Sequence, residues 1–475
     1  MNKPASIAMK IIYVLAIVFF LAAFLSTLLD FSSLVGQKRD VLFMALIAVA
    51  AICMAVGIGA IVVAMTRMSS RSYVWVILGL ATVVRLAWVL CIPTTISSDF
   101  AEMYTAARQA ASADFSFSSN PYFSAWVYQI GFTMYEAGII KLFGDHVLLL
   151  KILNIIYSSG TVFLIYGIAR KFHESAGRMA ALLYAVYPPA IIMCSVLTNE
   201  HMAIFFIYAG LYVIIEYGII KPRVWLYAGI FLALGDMIRP IGSVVLLSIG
   251  CYVALLLMIE KVHRKAIVSR LLAIVIVFFA LHNLVSYSLQ FAGVTKYPLT
   301  SREPYWKFVV GLNVKTNGQY SAEDEKYVAQ YPIGPERNEA EWQLISQRLT
   351  DTTQVARLLV EKFKILWGGN DASLYWSMEG LDYPRLKEWL FTYERLLYSS
   401  ILLFAGLGSF ATRRRNQKDP VLMLVFLILG YAAIHLSIEI QTRYRSFLLP
   451  SFAILFGYGL SYIKEKWLPY YRNTP

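Results

Sequence analysis

Long apolar runs recur along the whole chain and alternate with polar connections. An α-helix needs about 20 apolar residues to cross a bilayer, and this criterion predicts about twelve spans. They are Ile11–Leu29, Val41–Met65, Val74–Pro93, Val147–Ala169, Ala176–Val196, Ala203–Ile219, Val224–Ile238, Gly242–Met258, Ala266–Leu289, Leu396–Ala411, Val421–Ile438 and Phe447–Ile463. The pattern therefore predicts an all-α polytopic membrane protein.

Composition supports this fold class. Hydrophobic residues make up 59% of the 475 positions and charged residues only 15%, with a mean hydropathy of +0.61. A soluble domain would not tolerate such an apolar surface, so a lipid bilayer is an expected partner. The net charge of +13 is attributed to loops that face anionic lipid, and no nucleic-acid binding is expected.

Lysine and arginine in the short connections predict the orientation, because they concentrate on the cytoplasmic side. With a cytoplasmic N-terminus, the outer short loops carry few basic residues, namely Lys38, Arg39, Arg443 and Arg445. The inner connections and the tail then carry Arg67, Arg71, Arg170, Lys171, Arg178, Lys221, Arg223, Lys261, Arg264, Lys265, Arg413, Arg414, Arg415, Lys418, Lys464 and Lys466. Both termini are therefore predicted to be cytoplasmic, and the first span is interpreted as retained rather than cleaved.

Two long connections lie outside in this topology. In the first, 94–146, we predict helices at Asp99–Ala113 and Tyr122–Phe143, the second lying in the interface. In the second, 291–390, we predict one helix at Glu339–Trp367. The chain divides into two additional N-terminal spans (1–72), a transmembrane core with the first outer loop (73–290), the second outer loop (291–390) and a C-terminal transmembrane module (391–475).

Asp99 is the most informative polar residue, because it follows a long apolar run and opens the first outer loop. Its spacing to Glu102 also fits a capping box, in which Asp99 accepts from a backbone amide and Glu102 reaches back. The structural and chemical interpretations of Asp99 both stay open on the sequence alone. Arg443 and Arg445 are equally ambiguous, because arginines at the outer interface are often snorkelling anchors. Arg85 lies inside a predicted span and needs a partner or an aqueous cavity.

Several short motifs, in order, suggest a family. They are Leu142-Phe143-Gly144 before a span, Tyr187-Pro188-Pro189 within one, Leu197-Thr198-Asn199-Glu200 in a tight outer loop, Arg239-Pro240 after a short span, and Arg443-Tyr444-Arg445 ahead of Phe456-Gly457-Tyr458-Gly459-Leu460. The arrangement resembles the GT-C glycosyltransferases, which include protein O-mannosyltransferases and the aminoarabinose transferase that modifies lipid A. The resemblance covers about Val74 to Ile463. Two extra N-terminal spans and the lack of a Lys-Pro-Pro in the first loop depart from it.

The resemblance implies a bacterial plasma-membrane enzyme that moves a sugar from a polyprenyl phosphate to a cell-envelope glycan, lipid or protein outside the cell. Asp99 would be the general base, and Glu102 and Glu200 possible secondary acids. The donor phosphate would be bound by Arg443, Arg445, Arg239 and Lys151. No cofactor is implied and no metal is assigned, although some members of the superfamily use a divalent ion.

Other functions remain open. Many spans with buried charge also suit a transporter or lipid flippase, but transporters usually show internal repeats, and none is evident. A polysaccharide ligase or polymerase would be expected to carry its catalytic basic residues late in the chain, whereas the acid here comes early.

Overall fold

The computed structural model describes residues 3–34, 41–415 and 419–467. The α-helices are α1 Lys3–Leu34, α2 Val41–Ala64, α3 Ser70–Cys91, α4 Ser98–Ala111, α5 Pro121–Ala125, α6 Gln129–Phe143, α7 Val147–Ala169, α8 Glu174–Val186, α9 Pro188–Ile192, α10 Glu200–Tyr217, α11 Val224–Ile238, α12 Gly242–Ile259, α13 Arg264–Phe291, α14 Trp306–Gly311, α15 Ala322–Val328, α16 Pro335–Arg348, α17 Thr352–Gly368, α18 Ser373–Met378, α19 Pro384–Arg415, α20 Leu422–Ser437 and α21 Leu449–Trp467. Short 3₁₀ helices lie at Ser116–Ser119, Met193–Ser195 and Thr442–Phe447.

The all-α polytopic prediction is confirmed. Within the described ranges, eight helices are long and apolar enough to cross a membrane, or nine if the bent pair α8 and α9 forms one span. Two shorter apolar helices, α11 and α20, lie among them. Every predicted span overlaps a helix. The predicted loop charges at Lys38, Arg39 and Lys418 lie outside the described residues, as do the side chains of 413–415.

Arg85 stabilises the break between α8 and α9, where the chain bends by 61°. Pro188 and Pro189 have no N–H, so the carbonyls four residues earlier lose their helical donors. Those carbonyls belong to Tyr184 and Ala185, and the Arg85 guanidinium donates to them at 3.2 and 3.1 Å. Arg85 is fully buried. Its charge inside the span thus has a structural use, because it supplies the donors that the two prolines remove.

The last helix packs closely against α19 through glycine. A Cβ on Gly408 would lie 1.8 Å from the Leu455 carbonyl oxygen, and one on Gly459 would lie 2.0 Å from that of Phe404. Small residues allow such backbone approach between membrane helices. This contact fixes α21 and the segment before it, which carries Arg443, against the rest of the molecule.

Helix α1 belongs to the core rather than to a separate module. The Phe19 ring contacts the rings of Phe363 and Trp367, with centroids 5.9 and 4.9 Å apart. At the outer end of α1, Asp30 pairs with Arg395 at 3.1 Å. The additional N-terminal spans therefore include a helix that supports the second outer loop.

Two predicted loop helices are each divided in the structure. The predicted helix Tyr122–Phe143 is two helices, α5 and α6, because the chain leaves the helical conformation at Trp126, with φ −111° and ψ 58°, and forms an antiparallel bridge with Ser301 there. The predicted helix Glu339–Trp367 is also two, α16 and α17. Asp351 caps α17 by accepting from the amides of Thr353 and Gln354, and this cap interrupts the apolar periodicity that suggested one helix.

Polar contacts join the connections at each end of the helices, in the two groups that the predicted topology requires. At one end, Ser70 bonds Glu174 at 2.8 Å, which joins two connections that the charge pattern places inside. At the other end, Thr94 bonds the Ser377 carbonyl at 2.8 Å, which joins the two outer loops. Which end faces the cytoplasm remains a prediction from charge.

Candidate functional site

A polar network holds the segment that leads to Asp99 against the neighbouring helices. Thr94 Oγ1 lies 2.7 Å from Ser195 Oγ, within hydrogen-bond distance, and the Lys151 ammonium donates to the Thr94 carbonyl at 3.1 Å. Lys151 is 8% exposed. It therefore supports the chain that leads to Asp99.

The predicted capping box is wrong. The residue at the N-cap of α4 is Ser97, whose side chain makes no cap bond, and the backbone of Ser98 is left-handed, with φ 54°. For a residue other than glycine, this conformation costs roughly 1–2 kcal/mol, and it turns the chain into α4 just before Asp99. Within the described ranges, neither Asp99 nor Glu102 forms a side-chain hydrogen bond. The Asp99 carboxylate is left free for chemistry.

Asp99 lies in an open recess, named here the Asp99 cleft, bounded by α4, the second outer loop and the segment before α21. Its side chain is exposed to solvent, yet many protein atoms surround it. This crowding raises the pKa of Asp99 by desolvation, while the charges of Arg443 and Lys307 lower it and those of Glu439 and Glu325 raise it. A carboxylate with a raised pKa is a better proton acceptor, provided it is ionised at the working pH.

Arg443 faces the Asp99 cleft from the 3₁₀ helix Thr442–Phe447. Its guanidinium carbon lies 4.8 Å from the ring centroid of Trp376 and 5.3 Å from that of Phe100. Nε lies 3.9 Å from Glu200 Oε1. Nε and Nη1 are both buried, and neither has a hydrogen-bond partner among the residues that the structure describes. A guanidinium with unused donors is suited to bind a phosphate or carboxylate.

Glu200 pairs with the basic side chains of Arg239 and Arg443 at the buried side of the cleft. Its Oε1 accepts from Arg239, and its Oε2 accepts from the Ser446 hydroxyl at 2.9 Å. Arg239 also lies over the Tyr444 ring at 5.1 Å. Glu200 is only 3% exposed. With both oxygens in use, Glu200 anchors the segment that presents Arg443.

The chain was compared with known proteins. Residues 119–285, about a third of the chain, match the family model of dolichyl-phosphate-mannose-protein mannosyltransferase. This family is part of the GT-C superfamily of membrane glycosyltransferases. The resemblance predicted from the sequence is confirmed. No curated protein matches the chain.

The match points to a GT-C glycosyltransferase that uses a lipid-linked sugar donor. The matched segment contains Lys151, Glu200 and Arg239. It begins after Asp99 and ends before Arg443, so the roles of those two residues depend on geometry alone.

Arg445 does not join the Asp99 cleft. Its side chain is 2% exposed, and it bonds Asp371 at 3.2 Å and the Gly369 carbonyl at 2.9 Å. Its guanidinium lies over the Tyr398 ring at 4.5 Å. Arg445 is thus committed to a buried ion pair that joins the end of α17 to the segment before α21.

Lys307 is a cleft residue that sequence analysis missed. Its ammonium pairs with Glu439 at 2.7 Å and lies 5.7 Å from the Trp126 ring and 5.8 Å from the Tyr444 ring. Burial by itself would lower the pKa of Lys307, but Tyr444 and Glu439 hold this pKa above its usual value. No local motif marks Lys307, because its neighbours in the cleft come from distant parts of the chain.

Glu439 is positioned by the backbone. Its amide donates to the Lys307 carbonyl at 2.7 Å, so the chain segments of this ion pair are joined twice. The carboxylate also accepts from Gln441 at 2.9 Å. In the part of the chain that the structure describes, no group of three or more His, Cys, Asp or Glu residues could hold a metal ion.

Proposed function

We propose that the chain transfers a sugar from a polyprenyl-phosphate donor to a hydroxyl group of a cell-envelope acceptor on the extracytoplasmic face. The observation that carries this proposal is the exposed Asp99 carboxylate, which accepts no hydrogen bond from the described residues, near the charge of Arg443, whose Nε and Nη1 have no hydrogen-bond partner there either. The family match supports the reaction class, since it points to a lipid-linked sugar donor.

Asp99 would act as the general base. The acceptor O–H gives its proton to the Asp99 carboxylate while the acceptor oxygen forms a bond to the anomeric carbon of the donor sugar. The bond between that carbon and the phosphate oxygen breaks, and its electron pair leaves with the phosphate. A hydroxyl is a weak nucleophile at neutral pH, so a positioned base contributes typically 10²–10⁴-fold.

Arg443 and Lys307 would stabilise the leaving phosphate. Both are cations whose charges act on Asp99, and Arg443 has free donors. Hydrogen bonds from charged donors to phosphate are the strong ones. In this proposal Arg239 and Lys151, first considered as phosphate ligands, are positioning residues that act through Glu200 and Thr94.

The decisive experiment replaces Asp99→Asn in the full chain reconstituted in nanodiscs, with polyprenyl-phosphate mannose as donor and membrane extract as acceptor. Asn keeps the size and removes the base, so we expect transfer to fall by about two orders of magnitude or more. Thermal stability should be unchanged, because Asp99 makes no structural bond.

Glu102→Gln is the matched control, because Glu102 is an exposed acid one turn further along α4. Its transfer rate should stay near that of the wild type. Near-normal transfer by a well-folded Asp99→Asn protein would reject Asp99 as the base.

A further inference from the structure

A cavity that is open to the surface lies between α18 and the first turns of α19. Its volume is about 450 Å³, and its lining includes Leu374, Tyr375, Glu379, Lys387, Glu388 and Phe391. Ligand pockets in proteins measure roughly 300–1,000 Å³ and combine apolar walls with a few polar groups. This space, named here the α18–α19 cavity, has the size and the mixed lining of such a pocket.

The α18–α19 cavity is joined to the segment before Asp99. The carboxylate of Glu379 accepts from the hydroxyl of Ser97 at 2.8 Å and from that of Tyr375 at 3.1 Å. Ser97 is the N-cap residue of α4, two positions before Asp99. The cavity wall and the proposed base therefore belong to one connected unit.

A thin aromatic layer separates the two spaces. The Trp376 ring packs against Tyr375, with centroids 5.3 Å apart, and against Phe100, with centroids 5.4 Å apart. Arg443 lies over the same Trp376 ring. Tyr375, at the cavity edge, is 60% exposed, and Phe100, on the other side of the Trp376 ring, is the residue next to Asp99.

The α18–α19 cavity and the Asp99 cleft differ in the cationic groups that they offer a phosphate. The cavity lining holds two carboxylates, Glu379 and Glu388, against one ammonium, Lys387, which donates to the Leu381 carbonyl at 2.6 Å. Such a lining repels a phosphate and offers it no guanidinium. The Asp99 cleft also holds carboxylates, but it offers Arg443, whose Nε and Nη1 have no hydrogen-bond partner among the described residues. The donor phosphate therefore fits the cleft, and the cavity suits a neutral ligand.

The polar groups indicate what kind of neutral ligand this is. Within the described ranges, the Glu388 carboxylate has no hydrogen bond to the protein, and an ionised carboxylate can only accept. The exposed Tyr375 ring offers an apolar face. Acceptor oxygens beside an aromatic face suit a molecule with many hydroxyl donors and apolar C–H surfaces, which is the chemistry of a saccharide.

We infer that the α18–α19 cavity binds a saccharide portion of the acceptor and that this portion directs the reacting hydroxyl towards Asp99. The inference rests on the proposed function and adds to it the chemical class of the acceptor. A phospholipid headgroup or a peptide in the cavity would contradict it.

The test captures the occupant in the native membrane. Tyr375→p-benzoylphenylalanine places a photo-crosslinker at the cavity edge of the full chain, and irradiation should give an adduct that stains for carbohydrate and releases sugars on acid hydrolysis. Glu388→Ala should lower the adduct yield by about tenfold, the effect of one lost charge-assisted hydrogen bond. Arg385→Ala, one turn away and exposed, should leave the yield unchanged.

A crosslinker at Trp342, an exposed aromatic residue of α16, should give no carbohydrate adduct. An adduct at position 375 with the mass of a phospholipid or a peptide, or a yield that does not depend on Glu388, would overturn the inference.

The same experiment in the Asp99→Asn background separates this inference from the proposed function. Binding does not need the base, so the carbohydrate adduct should persist there while transfer is lost. Normal transfer by Asp99→Asn would reject the proposed function alone. Transfer that depends on Asp99, together with an adduct free of sugar, would reject the cavity inference alone.

Discussion

At the scale of single residues, charge around Asp99 sets the conditions under which it can act as a base. Desolvation raises its pKa, and the neighbouring charges either oppose or increase this shift. Asp99 must be ionised to accept a proton, so activity should fall as the pH drops through this raised pKa. The acid limb of the pH profile should therefore lie above the ordinary carboxyl range of about 4.

Two neighbouring charges should move this acid limb in opposite directions. Lys307→Gln removes a cation that lowers the pKa of Asp99, so the limb should shift to higher pH. Glu325→Gln removes an anion that raises the pKa, so the limb should shift to lower pH. The measurement is kcat/KM against pH, which reports the free enzyme. Identical limbs in both variants and the wild type would rule out Asp99 as the titrating group.

Substitutions of Arg443 and Arg445 should differ in their effect on donor binding. Arg443→Ala should weaken donor binding roughly 10- to 100-fold, as expected for lost hydrogen bonds to a charged group. Arg443→Lys should weaken it less, because the ammonium keeps the positive charge and loses only the two-pronged donor geometry of the guanidinium. Arg445→Ala should lower thermal stability, because it leaves the buried Asp371 unpaired. Equal donor affinity in Arg443→Ala and wild type would make Arg443 an interfacial anchor.

At the scale of secondary-structure elements, the bend between α8 and α9 leaves two carbonyls without helical donors, and a residue of another helix supplies them. Arg85 makes four hydrogen bonds, to Ser158 Oγ and to the carbonyls of Ala81, Ala185 and Tyr184. The bend positions the 3₁₀ helix Met193–Ser195, whose last residue bonds Thr94. The support of the Asp99 segment thus depends on a residue deep in α3.

Removal of Arg85 should be severely destabilising. Arg85→Met keeps the length but leaves the Tyr184 and Ala185 carbonyls without donors. Hydrogen bonds between membrane helices are worth about 0.6–1.7 kcal/mol each, and Arg85 makes three of them, so we expect a loss of roughly 2–5 kcal/mol, measured by thermal unfolding in detergent. Thr82→Val, which removes one bond to Ser159 in the same helix pair, should lose less than about 1.7 kcal/mol. A stable Arg85→Met protein would disprove this role.

At the scale of the whole molecule, the second outer loop is fastened to both the first outer loop and the membrane helices. Arg302 donates its amide to the Ala125 carbonyl at 2.9 Å. The buried Lys362 ammonium donates to the carbonyls of Gly311, Leu436 and Ile438 at 2.7–2.8 Å. These contacts hold Lys307 at the cleft.

The topology can be tested on intact cells. In a background without the native cysteines, Gln109→Cys and Lys315→Cys should react with an impermeant thiol reagent, because both positions are exposed on the predicted outer loops. Lys221→Cys, on a predicted inner connection, should react only after permeabilisation. The reverse pattern would invert the topology and remove the argument for an extracytoplasmic reaction.

The sequence by itself determined the apolar helices, the grouping of the loops and the place of Asp99, because the length of an apolar run and the charge of a short loop are local properties. It predicted about twelve spans, whereas eight or nine of the described helices are long and apolar enough to cross a membrane. It did not show the interruptions at Trp126 and Asp351. The bridge to the distant residue Ser301 causes the first interruption. The second is the helix cap at Asp351, which was missed because the apolar pattern continues across it.

Only the tertiary structure decided which basic residues meet Asp99. Arg443 and Arg445 look equivalent in sequence, but a 3₁₀ helix turns by about 120° per residue, so side chains two positions apart cannot share a face. One therefore points at the cleft and the other at Asp371. Lys307 reaches the cleft from a distant loop, and Arg85 finds its carbonyls on another helix. These pairings arise only when the helices pack, since no local pattern encodes contacts between segments so far apart in the chain.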